Sequence, residues 1–136
     1  MNMTLRSAAP EIASQLALLT DSAELVPSEI YFDEADRQIT IPMTRKERVR
    51  KRSVLGLRES HRTVAPKTVQ SVLIVRDVLQ CIPKDRFSLQ RITLLFGVRL
   101  KENEVYLCSA EESGGISAFE LQIKTGSCDI ELRDRN

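Results

Sequence analysis

Apolar residues near the N-terminus recur at the spacing of an α-helix. Three of them stand at positions i, i+4 and i+7, which places them on one stripe of a helical surface: Ile12, Leu16, Leu19. Pro27 stops any continuation of this helix, because proline cannot donate the backbone hydrogen bond that a helix interior requires. The pattern therefore predicts one helix near residues 10–20, preceded by a flexible lead-in over residues 1–8.

From residue 29 onward the apolar period changes to two. Short stretches of alternating apolar and polar residues are separated by polar turns, which is typical of antiparallel strands joined by hairpins. Residues 69–82 are apolar on both faces, so this segment is predicted to be a central strand covered on both sides. The predicted fold is mainly β (α+β). It is an antiparallel meander of six to eight strands over residues 29–133, forming a sandwich or a partly open barrel, with the one N-terminal helix packed on it.

An acidic run at residues 33–36 separates two short apolar stretches. The Asp33 and Asp36 side chains can accept hydrogen bonds from nearby backbone N–H groups, so the run favours a turn. A calcium-binding loop would need further ligands at alternate positions and a supporting glycine, which this run lacks. We therefore predict a β-hairpin with a loop of about four or five residues.

The stretch after this hairpin is the least regular part of the pattern. The alternating apolar face of residues 39–43 is interrupted at Arg45 and Glu47, so a turn or bulge is expected near residues 44–48. Pro42 favours an edge strand or a bulge, because it has no N–H to give to a neighbouring strand. We therefore predict two short strands, or a strand followed by a loop.

Positive charge is concentrated in one segment of the chain. The whole chain carries 20 Lys+Arg and 19 Asp+Glu, but residues 45–67 hold nine basic and two acidic residues. On a strand, alternate cations would stand about 6.6 Å apart on one face, where they can contact phosphate oxygens. The candidate anion-binding residues are Arg45, Lys46, Arg48, Arg50, Lys51, Arg52, Arg58 and Arg62.

Two interpretations of this basic segment stay open. As a site for nucleic acid or another anionic ligand it lacks stacking platforms, because aromatic residues make up 4% of the chain and none lies between residues 45 and 67. As a solvated or internally paired segment, it would neutralise acidic residues elsewhere in the chain and keep an edge strand from aggregating.

Two residues are candidates for acid–base chemistry. His61 is the only histidine and lies in the basic segment, where neighbouring cations would hold it neutral and able to act as a base. A solvated loop histidine is the simpler interpretation. Asp77 lies in the most apolar segment, where a carboxylate must be paired or neutralised. It is interpreted either as a paired residue at a bulge or strand end, or as a perturbed acid in a pocket. We assign no catalytic residue.

The three cysteines form neither a metal pattern nor a disulfide pattern. They lie 27 and 20 residues apart, none has a neighbouring histidine, and each falls on a predicted apolar strand: Cys81, Cys108, Cys128. An odd count without a secretory signal predicts buried, reduced thiols in a cytoplasmic protein. No metal and no cofactor is expected.

The length and composition predict a soluble single domain over residues 1–136. No apolar stretch approaches the ~20 residues of a membrane span, and no set of motifs identifies a family. The leading hypothesis is a non-enzymatic β-rich binding or assembly module that contacts a protein partner or a second copy through a strand edge or surface. The alternatives are a binder of nucleic acid or another anionic ligand through residues 45–52, and a small hydrolase or lyase that uses His61 or Asp77.

Overall fold

One α-helix packs on one antiparallel sheet in the computed structural model, which describes residues 4–7, 12–47, 67–85, 90–110 and 118–135. The helix is α1, Ile12–Thr20. The strands are β1, Thr4–Ser7; β2, Glu24–Leu25; β3, Tyr31–Asp33; β4, Gln38–Glu47; β5, Lys67–Asp85; β6, Ile92–Thr93; β7, Arg99–Lys101; β8, Glu104–Cys108; and β9, Phe119–Arg135. Within these ranges no helix combines the length and the apolar character that a membrane crossing requires.

The sheet order is β6–β2–β4–β5–β9–β8–β7, with β3 paired to β4 beside β2, and β1 paired to β9 beside β8. The meander holds within β3–β4–β5 and within β7–β8–β9, and the pairing of β5 with β9 joins the two groups. The sheet does not close into a barrel, although an isolated bridge links Leu94 to Ser109. The predicted mainly β (α+β) fold is confirmed. The described residues contain nine strands where six to eight were predicted, and two of them, β1 and the two-residue β2, precede the predicted β region of residues 29–133.

The core lies between the sheet and α1. The core-facing residues of the three longest strands alternate along each strand and are buried: Ile39, Ile41, Met43, Leu73, Val75, Ile130, Leu132. Ile12 and Leu16 of α1 are buried in the same cluster, and Leu19 packs against it. This confirms the predicted helix, its apolar stripe and its packing on the sheet.

β5 is the central strand of the sheet. It pairs with β4 along one edge and with β9 along the other. Leu73 and Val75 are buried on the core face, and Val72 and Ile74 are buried on the opposite face. The prediction of a central strand covered on both sides is confirmed for residues 71–75, whereas Leu79, beyond the bulge at Asp77, is 60% exposed.

The acidic run forms the predicted hairpin turn between β3 and β4. Asp33 Oδ1 accepts hydrogen bonds from the backbone N–H groups of Ala35 and Asp36, at 3.0 and 3.2 Å. Arg37 adopts a left-handed φ of 50°. Its carbonyl accepts a hydrogen bond of 2.9 Å from the N–H of Val78, which ties the turn to β5.

Residues 4–7 differ from the predicted flexible lead-in over residues 1–8. They form β1, which pairs antiparallel with residues 130–133 of β9. The partner strand lies at the other end of the chain, so the local pattern of the first eight residues holds no sign of this pairing.

The turn or bulge predicted near residues 44–48 is wrong for the described residues 44–47. β4 runs without interruption from Gln38 to Glu47, and Arg45 takes a core-facing position. The charge is tolerated there because a carboxylate from β9 meets it. On the outer edge of β4, β3 pairs with residues 38–40 and β2 pairs with Thr44. Pro42 lies between these pairings, so neither strand needs a backbone N–H from it.

Candidate functional site

Arg45, the first candidate anion-binding residue, lies inside the protein and is 4% exposed. Its Nη2 donates to Asp134 Oδ2 at 2.7 Å, and its Nε donates to Asp134 Oδ1 at 3.1 Å. Ser71 completes the group: its Oγ accepts from Arg45 Nε at 3.0 Å and donates to Asp134 Oδ1 at 2.7 Å. Arg45 therefore binds an internal carboxylate, which corrects its place among the candidate residues for an external anion.

Lys46, the second candidate, points to the opposite face of β4 and is exposed. Arg135, near the end of β9, is exposed on the same face of the sheet. Lys46 pairs with Thr68 on β5, and Arg135 pairs with Gln70 on β5, so uncharged polar residues lie beside both cations. We call Lys46, Thr68, Gln70 and Arg135 the cationic corner.

The other candidates lie outside the described residues: Arg48, Arg50, Lys51, Arg52, Arg58, Arg62 and His61. The described chain stops at Glu47 and resumes at Lys67, and these two residues are paired neighbours on β4 and β5. The described chain therefore ends and resumes beside the cationic corner.

Two acidic residues are paired with arginines on the face of the sheet that carries the cationic corner. Glu131 is buried, and its carboxylate accepts from Arg76 Nη2 at 2.9 Å and from Arg133 Nη2 at 2.5 Å. Burial alone would raise the pKa of Glu131, but the hydrogen bonds and charges of Arg76 and Arg133 outweigh burial and lower it. Asp129 Oδ1 also lies 3.7 Å from Arg76 Nη1. These carboxylates are matched internally and do not compensate Lys46 or Arg135.

Asp77 lies at a β-bulge, with a φ of 55° and a shift of register between Arg76 and Val78. Its Oδ2 accepts a hydrogen bond of 2.8 Å from Ser127 Oγ on β9. Gly126 lets the two strands approach, because a Cβ there would stand 2.8 Å from Asp77 Oδ2. The structure therefore has the bulge and the bonded partner that one of the two interpretations of Asp77 predicted.

The two cysteines with described side chains are free thiols: Cys81 is half-buried and Cys108 is buried. Burial raises the pKa of Cys81, which makes it a poorer nucleophile. Beside Cys108, the Arg99 guanidinium lies 4.8 Å from the centre of the Tyr106 ring. Burial, followed by the effects of Cys108 and Glu120, raises the pKa of Tyr106 to about 12. In the described part of the chain, no three His, Cys, Asp or Glu side chains are arranged to hold a metal ion.

Two aromatic side chains lie exposed on an edge strand. Tyr31 is 63% exposed and Phe32 is 37% exposed. β3 pairs with β4 along one edge, and no strand of the described ranges pairs with its other edge. The turn that follows presents Glu34 and Asp36, both exposed. We call Tyr31, Phe32, Glu34 and Asp36 the β3 edge surface.

The apolar pattern predicts the hairpin that contains Tyr31 and Phe32, but it does not identify them as a surface. The available signal is that two of the six aromatic residues of the chain stand together, directly before an acidic turn. Their exposure depends on which strand edges stay unpaired, and alternation within one strand does not reveal this.

Comparison of the chain with protein-family models, with curated proteins and with solved structures gives no match.

Proposed function

We propose that the chain is a non-enzymatic binding or assembly module that receives a protein segment along the outer edge of β3. The supporting observation is the β3 edge surface, where a strand edge that pairs with no described strand carries two exposed aromatic side chains. Such an edge offers backbone N–H and C=O groups to an added strand. Lysine and proline guard many edges that must stay unpaired, and the three residues of β3, Tyr-Phe-Asp, include neither.

The aromatic residues suit this role because of where they point. Tyr31 and Phe32 are adjacent on a strand, so they project to opposite faces, and an added strand would meet one ring on each face. Aromatic side chains bring a large apolar area and are enriched among residues that dominate binding energy. Asp33 and Arg37 already fix the turn through their hydrogen bonds, so less ordering is needed when a partner docks.

Selection of displayed random peptides on the immobilised chain tests this proposal. We expect extended peptides whose affinity falls at least about tenfold on Tyr31→Ser, since truncation of an aromatic hot spot costs about 2 kcal/mol or more and about 1.4 kcal/mol is tenfold in affinity. Leu18→Ser is the matched control, because Leu18 is 55% exposed on α1. The backbone amides of residues 31–33 should exchange more slowly in the complex.

Two results would exclude the edge of β3 as the binding site. One is a set of selected peptides that bind Tyr31→Ser as tightly as they bind the wild type. The other is a complex in which the amides of residues 31–33 exchange at the rate of the free chain.

A second candidate function is the binding of nucleic acid or another anionic ligand. It is supported by the cationic corner, where Lys46 and Arg135 are exposed on one face beside the attachment of the basic segment. Affinity for labelled oligonucleotides should fall by orders of magnitude between about 50 and 200 mM salt. It should also fall in K46Q/R135Q but not in K84Q/K101Q, whose lysines are exposed elsewhere. Equal binding by K46Q/R135Q would remove the corner from the site.

A further inference from the structure

The two charged surfaces lie at opposite ends of β4. The acidic turn directly precedes Gln38, the first residue of this strand, and Lys46 is its last residue but one. β4 has ten residues, which span about 30 Å at roughly 3.4 Å per residue. The molecule therefore presents the β3 edge surface at one end of the strand and the cationic corner at the other.

The β3 edge surface carries uncompensated negative charge. Residues 33–37 contain three carboxylates and one guanidinium. The Asp33 carboxylate accepts hydrogen bonds from the backbone of its own turn. Glu34 and Asp36 are exposed and, among the residues that the structure describes, take part in no ion pair. Tyr31 adds an exposed ring on which a guanidinium can stack.

The cationic corner keeps its positive charge because the described acids near it pair with other cations: Glu24, opposite Thr44 on β2, pairs with Arg91. Asp134 is bonded to Arg45 on the core side of the sheet. Glu131 is bonded to Arg76 and Arg133. The charges of Lys46 and Arg135 therefore face outward without a carboxylate partner in the described ranges.

We propose that copies of this chain associate head to tail, with the β3 edge surface of one copy docked on the cationic corner of the next. This rests on the proposed function, because it takes the β3 edge surface as a binding site and assigns a second copy as its occupant. Glu34 and Asp36 pair with Lys46 and Arg135 of the neighbouring copy, and the Tyr31 ring receives the Arg135 guanidinium. Charge complementarity selects this occupant, since each chain carries both halves of the contact.

The geometry of the contact determines how the assembly grows. The two surfaces differ, so the contact is heterologous and leaves one free surface of each kind at the ends. Repetition gives a closed ring of fixed size or an open chain, and the average mass of an open chain rises with concentration. Exposed charges are screened over about 10 Å at 0.1 M salt and about 3 Å at 1 M salt, so high salt dissociates the assembly.

Two neutralising variants test the contact from its two sides by sedimentation velocity. E34Q/D36N removes the negative charge, and K46Q/R135Q removes the positive charge. Each variant alone should be monomeric at concentrations where the wild type associates. Their equimolar mixture should form a complex of one copy of each, because each variant retains the surface that the other lacks. K84Q/K101Q makes the same change in net charge as K46Q/R135Q and should associate like the wild type.

The outcomes separate this proposal from the proposed function. A wild type that is monomeric at all concentrations overturns the head-to-tail contact, and so does a mixture of the two variants that forms no complex. If a wild type that stays monomeric binds oligonucleotides through Lys46 and Arg135, the cationic corner serves an anionic ligand instead. If it still captures peptides that depend on Tyr31, the binding function stands and only its occupant is wrong. Association that depends on these charges supports the head-to-tail contact. If Tyr31→Ser has no effect on peptide binding in the same chain, strand addition at β3 is overturned.

Discussion

Arg45 and Asp134 form a two-pronged ion pair inside the protein, across β5 from one another, with nitrogen–oxygen distances of 2.7 and 3.1 Å. The two residues are 4% and 5% exposed. Such buried charges are tolerated because each neutralises the other, and Ser71 forms a further hydrogen bond with each of the two residues. The pair therefore links β4 to β9 across β5 at the end of the sheet that carries the cationic corner.

Removing one member of this pair should destabilise the fold strongly. We expect Arg45→Met to lower the free energy of unfolding by about 3–5 kcal/mol, because Asp134 is left buried without its guanidinium. Arg45→Met combined with Asp134→Leu should recover most of the loss, since an apolar pair avoids the cost of burying charge. Urea unfolding measures both effects as a change of midpoint at constant slope.

Lys46→Met is the matched control for Arg45→Met, because Lys46 is the next residue on the same strand and is exposed. Its effect should stay within about 0.5 kcal/mol. A loss of about 1 kcal/mol or less for Arg45→Met, the range of an exposed ion pair, would contradict the structural role.

Arg45 also shows where prediction from the sequence ends. The alternation of residues 39–43 predicts a strand, and the strand is present. The prediction fails at Arg45 because its partner carboxylate lies 89 residues further along the chain. A local pattern treats a core-facing charge as a break, whereas the fold supplies a partner through the pairing of β5 with β9.

The candidate site is predicted less well than the core, for a related reason. The hairpin turn at Asp33 is local, so its hydrogen-bonding residues can be read from the sequence. The exposure of Tyr31 depends on β3 having no described neighbour at its outer edge, and the exposure of Arg135 beside Gln70 depends on the β5–β9 register. Both are properties of strand order, which alternation within single strands does not contain.

Gly97 controls how closely the chain before β7 approaches α1. It has a φ of 69°, and a Cβ there would stand 2.6 Å from Thr20 Oγ1 and 2.9 Å from the backbone nitrogen of Asp21. Thr20 Oγ1 cannot retreat freely, because it accepts a hydrogen bond from the N–H of Val98 at 2.7 Å. Gly97→Ala should therefore cost more than the roughly 1–2 kcal/mol of the left-handed backbone alone.

Gly126→Ala provides the comparison for Gly97→Ala in the same unfolding assay. Its added Cβ would meet the end of the Asp77 side chain, which can rotate away and lose its hydrogen bond with Ser127. That loss is worth about 0.5–1.5 kcal/mol. Equal destabilisation by the two substitutions would show that α1 does not constrain position 97.

Glu131 should make the stability of the fold depend on pH in the acidic range. The pKa of Glu131 in the folded chain lies below its ordinary value of 4.5, so the folded state binds this proton less tightly than the unfolded state. The stabilisation is present at pH values above 4.5, and it is lost as the pH falls through the lowered pKa of the folded state. Urea unfolding at a series of pH values should show a shallower decline for Glu131→Gln than for the wild type.

Glu102→Gln is the control for this acid series, because Glu102 is exposed in the turn between β7 and β8. It should reproduce the decline of the wild type. If Glu131→Gln and Glu102→Gln decline in parallel, the ion pairs of Glu131 with Arg76 and Arg133 do not contribute to the acid sensitivity.

Tyr106 should titrate well above the ordinary tyrosine range. Burial comes first among the causes, followed by the neighbouring Cys108 thiol and Glu120 carboxylate, and together they raise the pKa of Tyr106 to about 12. The chain has two tyrosines, so in Tyr31→Phe the tyrosinate absorbance reports Tyr106 alone. Its midpoint should lie near 12 and fall in Tyr31→Phe/Glu120→Gln, because the variant lacks the carboxylate that disfavours tyrosinate.

The raised pKa of Tyr106 also fixes the direction of a stability change in alkali. The neutral phenol is favoured in the folded state, so its contribution is complete below pH 10.0, the ordinary value, and is lost as the pH rises towards 12. Tyr106→Phe should therefore lose stability less steeply than the wild type over that interval. A Tyr106 midpoint near 10.0 in a chain whose circular dichroism is still that of the folded state would show that burial, Cys108 and Glu120 do not hold the phenol neutral.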